Sequence, residues 1–201
     1  MYQKNQAVHI TQTRYNHGVY EVRTDKDENW VPFWKSGRTV KLADGKEVKL
    51  VKPFNQNIVE LPFDLPQPEC VAGLFENCRY LKNIETIYKW DFSKYTDMSK
   101  MFMLCTSLDH LALTGCDLSK IRSLNRLCFG CTNLQSLIIN VPLDSCENME
   151  CLVCRCKSLQ SIDFGNFALP KLTNMSSIFA SCENLSHREK YVMLFRFGEE
   201  I

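Results

Sequence analysis

Apolar residues recur at i, i+3, i+4 and i+7 in five eight-residue segments: 71–78, 98–105, 124–131, 149–156 and 175–182. Each segment ends on a cysteine, and Cys78, Cys105, Cys131, Cys156 and Cys182 stand 27, 26, 25 and 26 residues apart. Position one is Val71, Met98, Leu124, Met149 or Met175. Position four is Leu74, Met101, Leu127, Leu152 or Ile178, and position five is Phe75, Phe102, Cys128, Val153 or Phe179. This spacing lays one apolar stripe along a helix, so it predicts five short helices that each bury that stripe. Asp97, Ser123, Asn148 and Asn174 precede four of them and offer acceptors to the free amides of a first helical turn.

Past each cysteine the apolar period shortens. Cys105, Leu108, Leu111 and Leu113 give the clearest copy; Cys131, Leu134, Leu137, Ile139 and Cys156, Leu159, Ile162, Phe164 follow it. Alternation at the end of each run predicts a short strand with one face inward. The first copy reads Cys78, Leu81, Ile84, and Thr86 then breaks the pattern; the fifth stops after Leu185. Length varies only between strand and next helix, where Asp91-Phe92-Ser93, Asp117-Leu118-Ser119 and Pro142-Leu143-Asp144-Ser145 read as outer loops. A unit of helix, strand and loop repeated about every 26 residues predicts an α/β leucine-rich-repeat solenoid of five coils over residues 69–186.

The wording of two copies is more specific. Thr96-Asp97-Met98-Ser99-Lys100-Met101-Phe102-Met103-Leu104-Cys105-Thr106-Ser107-Leu108 resembles the BspA-like leucine-rich repeat, as does the stretch from Thr173-Asn174-Met175-Ser176 to Cys182-Glu183-Asn184-Leu185. The third and fourth copies are degenerate. The resemblance implies a bacterial surface or secreted adhesion protein; related repeats also occur in parasites and phages. The matching positions are buried framework, so the resemblance implies a fold and a binding role and names no ligand.

Residues 1–68 do not share the repeat. Strand-like runs occur at residues 7–11, 18–22 and 57–61, and two alternating runs flank Asp44-Gly45, a hairpin signal. With Trp30-Val31-Pro32-Phe33-Trp34 as apolar bulk, this stretch is expected to be a β-rich N-terminal domain or cap. Residues 187–201, with Tyr191, Val192, Leu194, Phe195 and Phe197, are expected to form a helix that caps the last coil and ends near Gly198.

Charge and chemistry narrow the function by exclusion. Lys and Arg total 24 against 23 Asp and Glu, which gives no electrostatic case for nucleic acid or an anionic membrane. No apolar run has the length to cross a bilayer, and the polar start carries no signal-peptide core. This sets the surface location implied by the resemblance against a cytoplasmic or virion one. The eleven cysteines include Cys128-x-x-Cys131 and Cys151-x-x-Cys154, a spacing that zinc sites use. The repeat offers another account. Cys131 belongs to the core register, Cys128 fills the register of Phe75, Phe102 and Phe179, and Cys151 falls in a mixed register with Gly73, Lys100, Arg126 and Ser177. The thiols are therefore expected to be free, with no metal, cofactor or catalytic residue. Neither a phosphate loop nor HExxH is present, and His110 is the single histidine on an expected repeat strand.

The expected function is thus non-catalytic recognition of a protein or glycan. Its candidate residues alternate with the buried ones on the strand face: Asn83, Glu85, His110, Ala112, Ser136, Ile138, Ser161 and Asp163. Two alternatives stand beside it. One is a phage virion component that recognises a host; the other is a thiol- or zinc-dependent protein that uses Cys128, Cys131, Cys151 and Cys154.

Overall fold

The computed structural model describes residues 6–42 and 44–196. The α/β helix-and-strand solenoid is overturned: among these residues there are three small sheets, one α-helix, two short 3-10 turns, and otherwise turns and loops. None of the five eight-residue segments is helical. The physical reason lies in the backbone. Position three of every segment has positive φ (Gly73, Lys100, Arg126, Cys151 and Ser177), and so does position seven (Asn77, Leu104, Gly130, Arg155 and Ser181), at values between 54° and 71°. A right-handed helix cannot contain such residues.

Each segment is instead three overlapping turns. In the first, the amides of Leu74, Glu76 and Cys78 bond the carbonyls of Val71, Gly73 and Phe75 at 3.0–3.2 Å, and the same set recurs in the other four. The left-handed residue is third in the first and last of these turns, where a type II turn requires positive φ. The odd amides point outward along the stack. Those of Gly73, Phe75 and Asn77 donate to Ser99, Met101 and Met103, and those of Lys100, Phe102 and Leu104 to Asn125, Leu127 and Phe129, at 2.7–2.9 Å. In the second to fourth segments half of the eight donors therefore serve the next repeat. Asp97, Ser123, Asn148 and Asn174 do accept from the amide two residues on, as Asx and Ser turns rather than helix caps. They also bridge one another in parallel.

The strands β6 (His110–Ala112), β7 (Ser136–Ile138) and β8 (Ser161–Asp163) form one parallel sheet in order β6-β7-β8. The remaining strands lie N-terminal to the repeats. β1 (Ile10–Asn16), β2 (Val19–Thr24) and β3 (Val31–Pro32) make an antiparallel sheet, and β4 (Trp34–Lys41) pairs with β5 (Glu47–Pro53) across the Asp44-Gly45 turn. Residues 57–61 form bridges only: Ile58 pairs with Val8, and Glu60 with Asn83 of the first repeat. Stacked or edge-on rings run Tyr20–Phe33–Trp34–Phe75–Phe102, with centroids 4.8–6.3 Å apart. One apolar core thus continues from Tyr20 to Leu185. Phe33 is wholly buried within it, whereas Trp30 lies against the guanidiniums of Arg14 and Arg23.

The expected helical cap is corrected as well. The helix α1 (His187–Arg196) turns Tyr191 and Val192 to solvent and packs Leu194 against the core. The expected end at Gly198 and the Phe197 contact lie outside the described residues.

The turn geometry reverses a standard sign. In a helix, Lys100→Gly costs about 1 kcal/mol. At φ 60°, glycine relieves left-handed strain of about 1 kcal/mol. Urea unfolding of the Lys100→Gly protein is expected to show stability equal to or higher than wild type; a loss of about 1 kcal/mol would restore the helical reading.

Candidate binding surface

Leu111, Leu137 and Ile162 point inward from the parallel sheet and are buried. Their neighbours face out in two in-register rows. His110, Ser136 and Ser161 make one, and Ala112, Ile138 and Asp163 make the other. Row members sit about 4.8 Å apart, the spacing of paired strands. His110 Nδ1 lies 2.8 Å from Ser136 Oγ, so the first row is pre-set by a side-chain bond. Ile138 is half-buried between Ala112 and Asp163.

Six of the eight expected residues are brought together in this way; Asn83 and Glu85 are not. The first repeat has a 3-10 turn, Glu85–Lys89, where the second, third and fourth have a strand. The Thr86 hydroxyl donates to the Phe63 carbonyl at 2.5 Å, which pulls the chain toward the N-terminal segment. Asn83 bridges Glu60 and accepts the Glu85 amide. This rearrangement supplies a residue absent from the expected set. Tyr88 is 41% exposed, with its hydroxyl near the Ala112 backbone beside the face. On the far side, Phe167 is exposed and crowds Gly165, two residues past β8. Thr86 was the visible signal of the rearrangement, since it broke the apolar alternation.

The cysteines are free, and ten of the eleven are buried. The ladder thiols are satisfied donors. Cys105, Cys131, Cys156 and Cys182 reach the carbonyls of Phe75, Phe102, Cys128 and Val153 in the preceding repeat at 3.0–3.1 Å. The two Cys-x-x-Cys pairs fall out of register. Cys128 and Cys131 occupy core positions five and eight, while Cys151 and Cys154 occupy positions three and six. Among the described residues no three His, Cys, Asp or Glu side chains converge as metal ligands.

Ion pairs tie the repeats along their turn edge. Arg122 grips Glu147 with two bonds of 3.0 and 3.1 Å, and Arg126 holds Glu150 at 3.0 Å. A separate concavity of about 1510 Å³ lies between the two N-terminal sheets. Lys35 and Lys52, paired across β4 and β5, line it with Ser36, Asn55 and Gln56. Asp27 lines it too, so the wall is of mixed charge, and Lys52 is already engaged by Glu76 at 2.7 Å. This cleft depends on how two hairpins sit against each other, and no local sequence signal marks it.

Comparison with protein families decides the affiliation. A family model described as "Mycoplasma protein of unknown function, DUF285" matches residues 48–114 and 69–191, the second match alone spanning more than half of the chain. The chain belongs to this family. Neither the curated proteins nor the solved structures contain a match to it. The DUF285 match spans all five turn segments and the whole β6–β8 face.

Burial of the thiols gives a signed pH dependence. Desolvation pushes Cys78 up from the ordinary 9.0 to about 12, Cys146 to about 12 and Cys182 to about 11. It raises Cys105 and Cys128 well above that ordinary value. The unfolded chain therefore loses these protons first, and stability present below pH 9.0 is lost as pH rises toward 12. Denaturation at stepped alkaline pH is expected to show this fall, together with a slower fall in a Cys78→Ala variant.

Proposed function

We propose that this protein is a non-catalytic recognition module that binds a protein or a glycan through the outer face of β6–β8. The observation that carries the reading is the pair of in-register rows, His110/Ser136/Ser161 and Ala112/Ile138/Asp163, held on a rigid parallel sheet. Hydroxyl, imidazole and carboxylate groups there give directional bonding, and Ile138 gives one apolar contact. Tyr88 and Phe167 supply flat rings at the two sides, a combination suited to sugar rings or to a protein surface. These residues project from the outer side of a three-stranded sheet, which fits recognition better than chemistry that must exclude water. Resemblance of the second and fifth repeats to surface-adhesion repeats supports the same reading.

The test uses an immobilised panel of oligosaccharides and extracellular proteins. Wild type is expected to be retained on at least one class. Ile138→Asp and Tyr88→Ala are each expected to weaken that binding about tenfold or more, about 1.4 kcal/mol, with the melting temperature unchanged. Retention that both variants leave intact would move the site off this face.

A further inference from the structure

One sulfur pair stands apart from the packed register. Cys151 is the half-exposed cysteine of the chain, and Cys154 is 7% exposed. The Cys154 amide donates to the Cys151 carbonyl at 3.1 Å, closing a turn from one to the other. Such a turn keeps its end Cα atoms within about 7 Å, the span that a disulfide bridges. The Cys151 thiol itself faces Glu150 Oε1 across 4.0 Å. In the other repeats, positions three and six hold Gly73 and Glu76, Lys100 and Met103, Arg126 and Phe129, and Ser177 and Ala180. The pair is therefore specific to the fourth repeat, with Cys151 outside the core register. The guanidiniums of Arg155 and Arg126 act on the Cys154 sulfur against its burial, which is the larger effect, and Arg126 is itself held by Glu150.

We infer that Cys151 and Cys154 form a thiol–disulfide exchange site for low-molecular-weight disulfides of the glutathione type. The Cys151 thiolate, reached from solvent, attacks one sulfur of the disulfide. That S–S bond breaks, one thiolate leaves, and a mixed disulfide remains on Cys151. Cys154 gives its proton to water, and its thiolate attacks Cys151 Sγ and expels the second small thiolate. Two electrons pass from the protein to the small disulfide, which leaves as two thiols once protonated. The turn keeps the two Cα atoms within the reach of a disulfide, so the second step needs no rearrangement of the stack. Burial raises the Cys154 thiol, with the Cys151 neighbour adding to it. The second step is therefore the slower at neutral pH and speeds up as pH rises.

The test incubates the full chain with oxidised glutathione, quenches in acid, alkylates and maps cysteines by mass spectrometry. Wild type is expected to gain an internal bond between Cys151 and Cys154 while Cys128 and Cys131 stay reduced until denaturant is added. Cys154→Ser is expected to trap glutathione on Cys151, and Cys151→Ser to take up none at Cys154 in the folded state. An unmodified wild type, equal oxidation of ladder cysteines, or no trapped adduct on a Cys154→Ser protein with wild-type circular dichroism would overturn the site.

Discussion

Alternate amides of the first four turn segments donate to carbonyls of the next repeat, and the rest of the molecule is arranged around those bonds. A helix spends its donors within itself. Here the left-handed residues at positions three and seven rotate every second amide out of the segment, while the even amides close the turns. A single repeat would leave its odd amides without partners, and that cost forbids it from standing alone. Parallel bridges from Asp97 through Asn174 and the sheet β6–β8 inherit their register from this ladder. So does the surface, since each outward row is one residue position repeated along the stack.

The cysteine register follows from the same geometry. Position eight lies under the carbonyl of position five in the preceding repeat, at 3.0–3.1 Å from sulfur to oxygen in four successive steps. That oxygen already accepts the amide that closes its own turn, at 3.0–3.1 Å. A second, weak donor suits it, and the group must also fill an apolar gap. Thiol meets both requirements: it is small and apolar, and it donates weakly without demanding a full set of partners. Serine would fit by shape but would bury a more polar group. Alanine would fill less of the gap and leave the oxygen with one donor.

Much of this was legible in the sequence, and the exceptions have physical causes. The turn segments were misread as helices because overlapping turns bury positions one, four, five and eight, the very spacing of a helical stripe. Only Gly73, Gly130 and Asn77 hinted at left-handed backbone, and Lys100, Leu104, Arg126 and Arg155 at equivalent positions masked the hint. The hairpin at Asp44-Gly45 and the strands β6, β7 and β8 were readable, since period-two alternation has no such competitor. Six of the eight face residues follow from those strands. Asn83 and Glu85 fail because Thr86 answers to a distant carbonyl, that of Phe63. The N-terminal cleft was invisible for the same reason, being made by contacts between segments far apart in the chain.

Register also separates the four cysteines of the zinc-like pattern. Spacing alone gave two equivalent pairs. Placed on the turn segment, they separate by two positions, and two positions decide whether a side chain enters the core or meets solvent. Cys128 and Cys131 are wholly buried, in a register that elsewhere holds phenylalanine and ladder cysteine. Cys151 takes the register of Lys100 and Arg126, where a side chain meets water. A tetrahedral ion would need all four sulfurs at one point, and a stack that fixes each residue to one radial direction does not offer that point. The same rigidity that separates the four sulfurs leaves Cys151 half-exposed beside a buried Cys154.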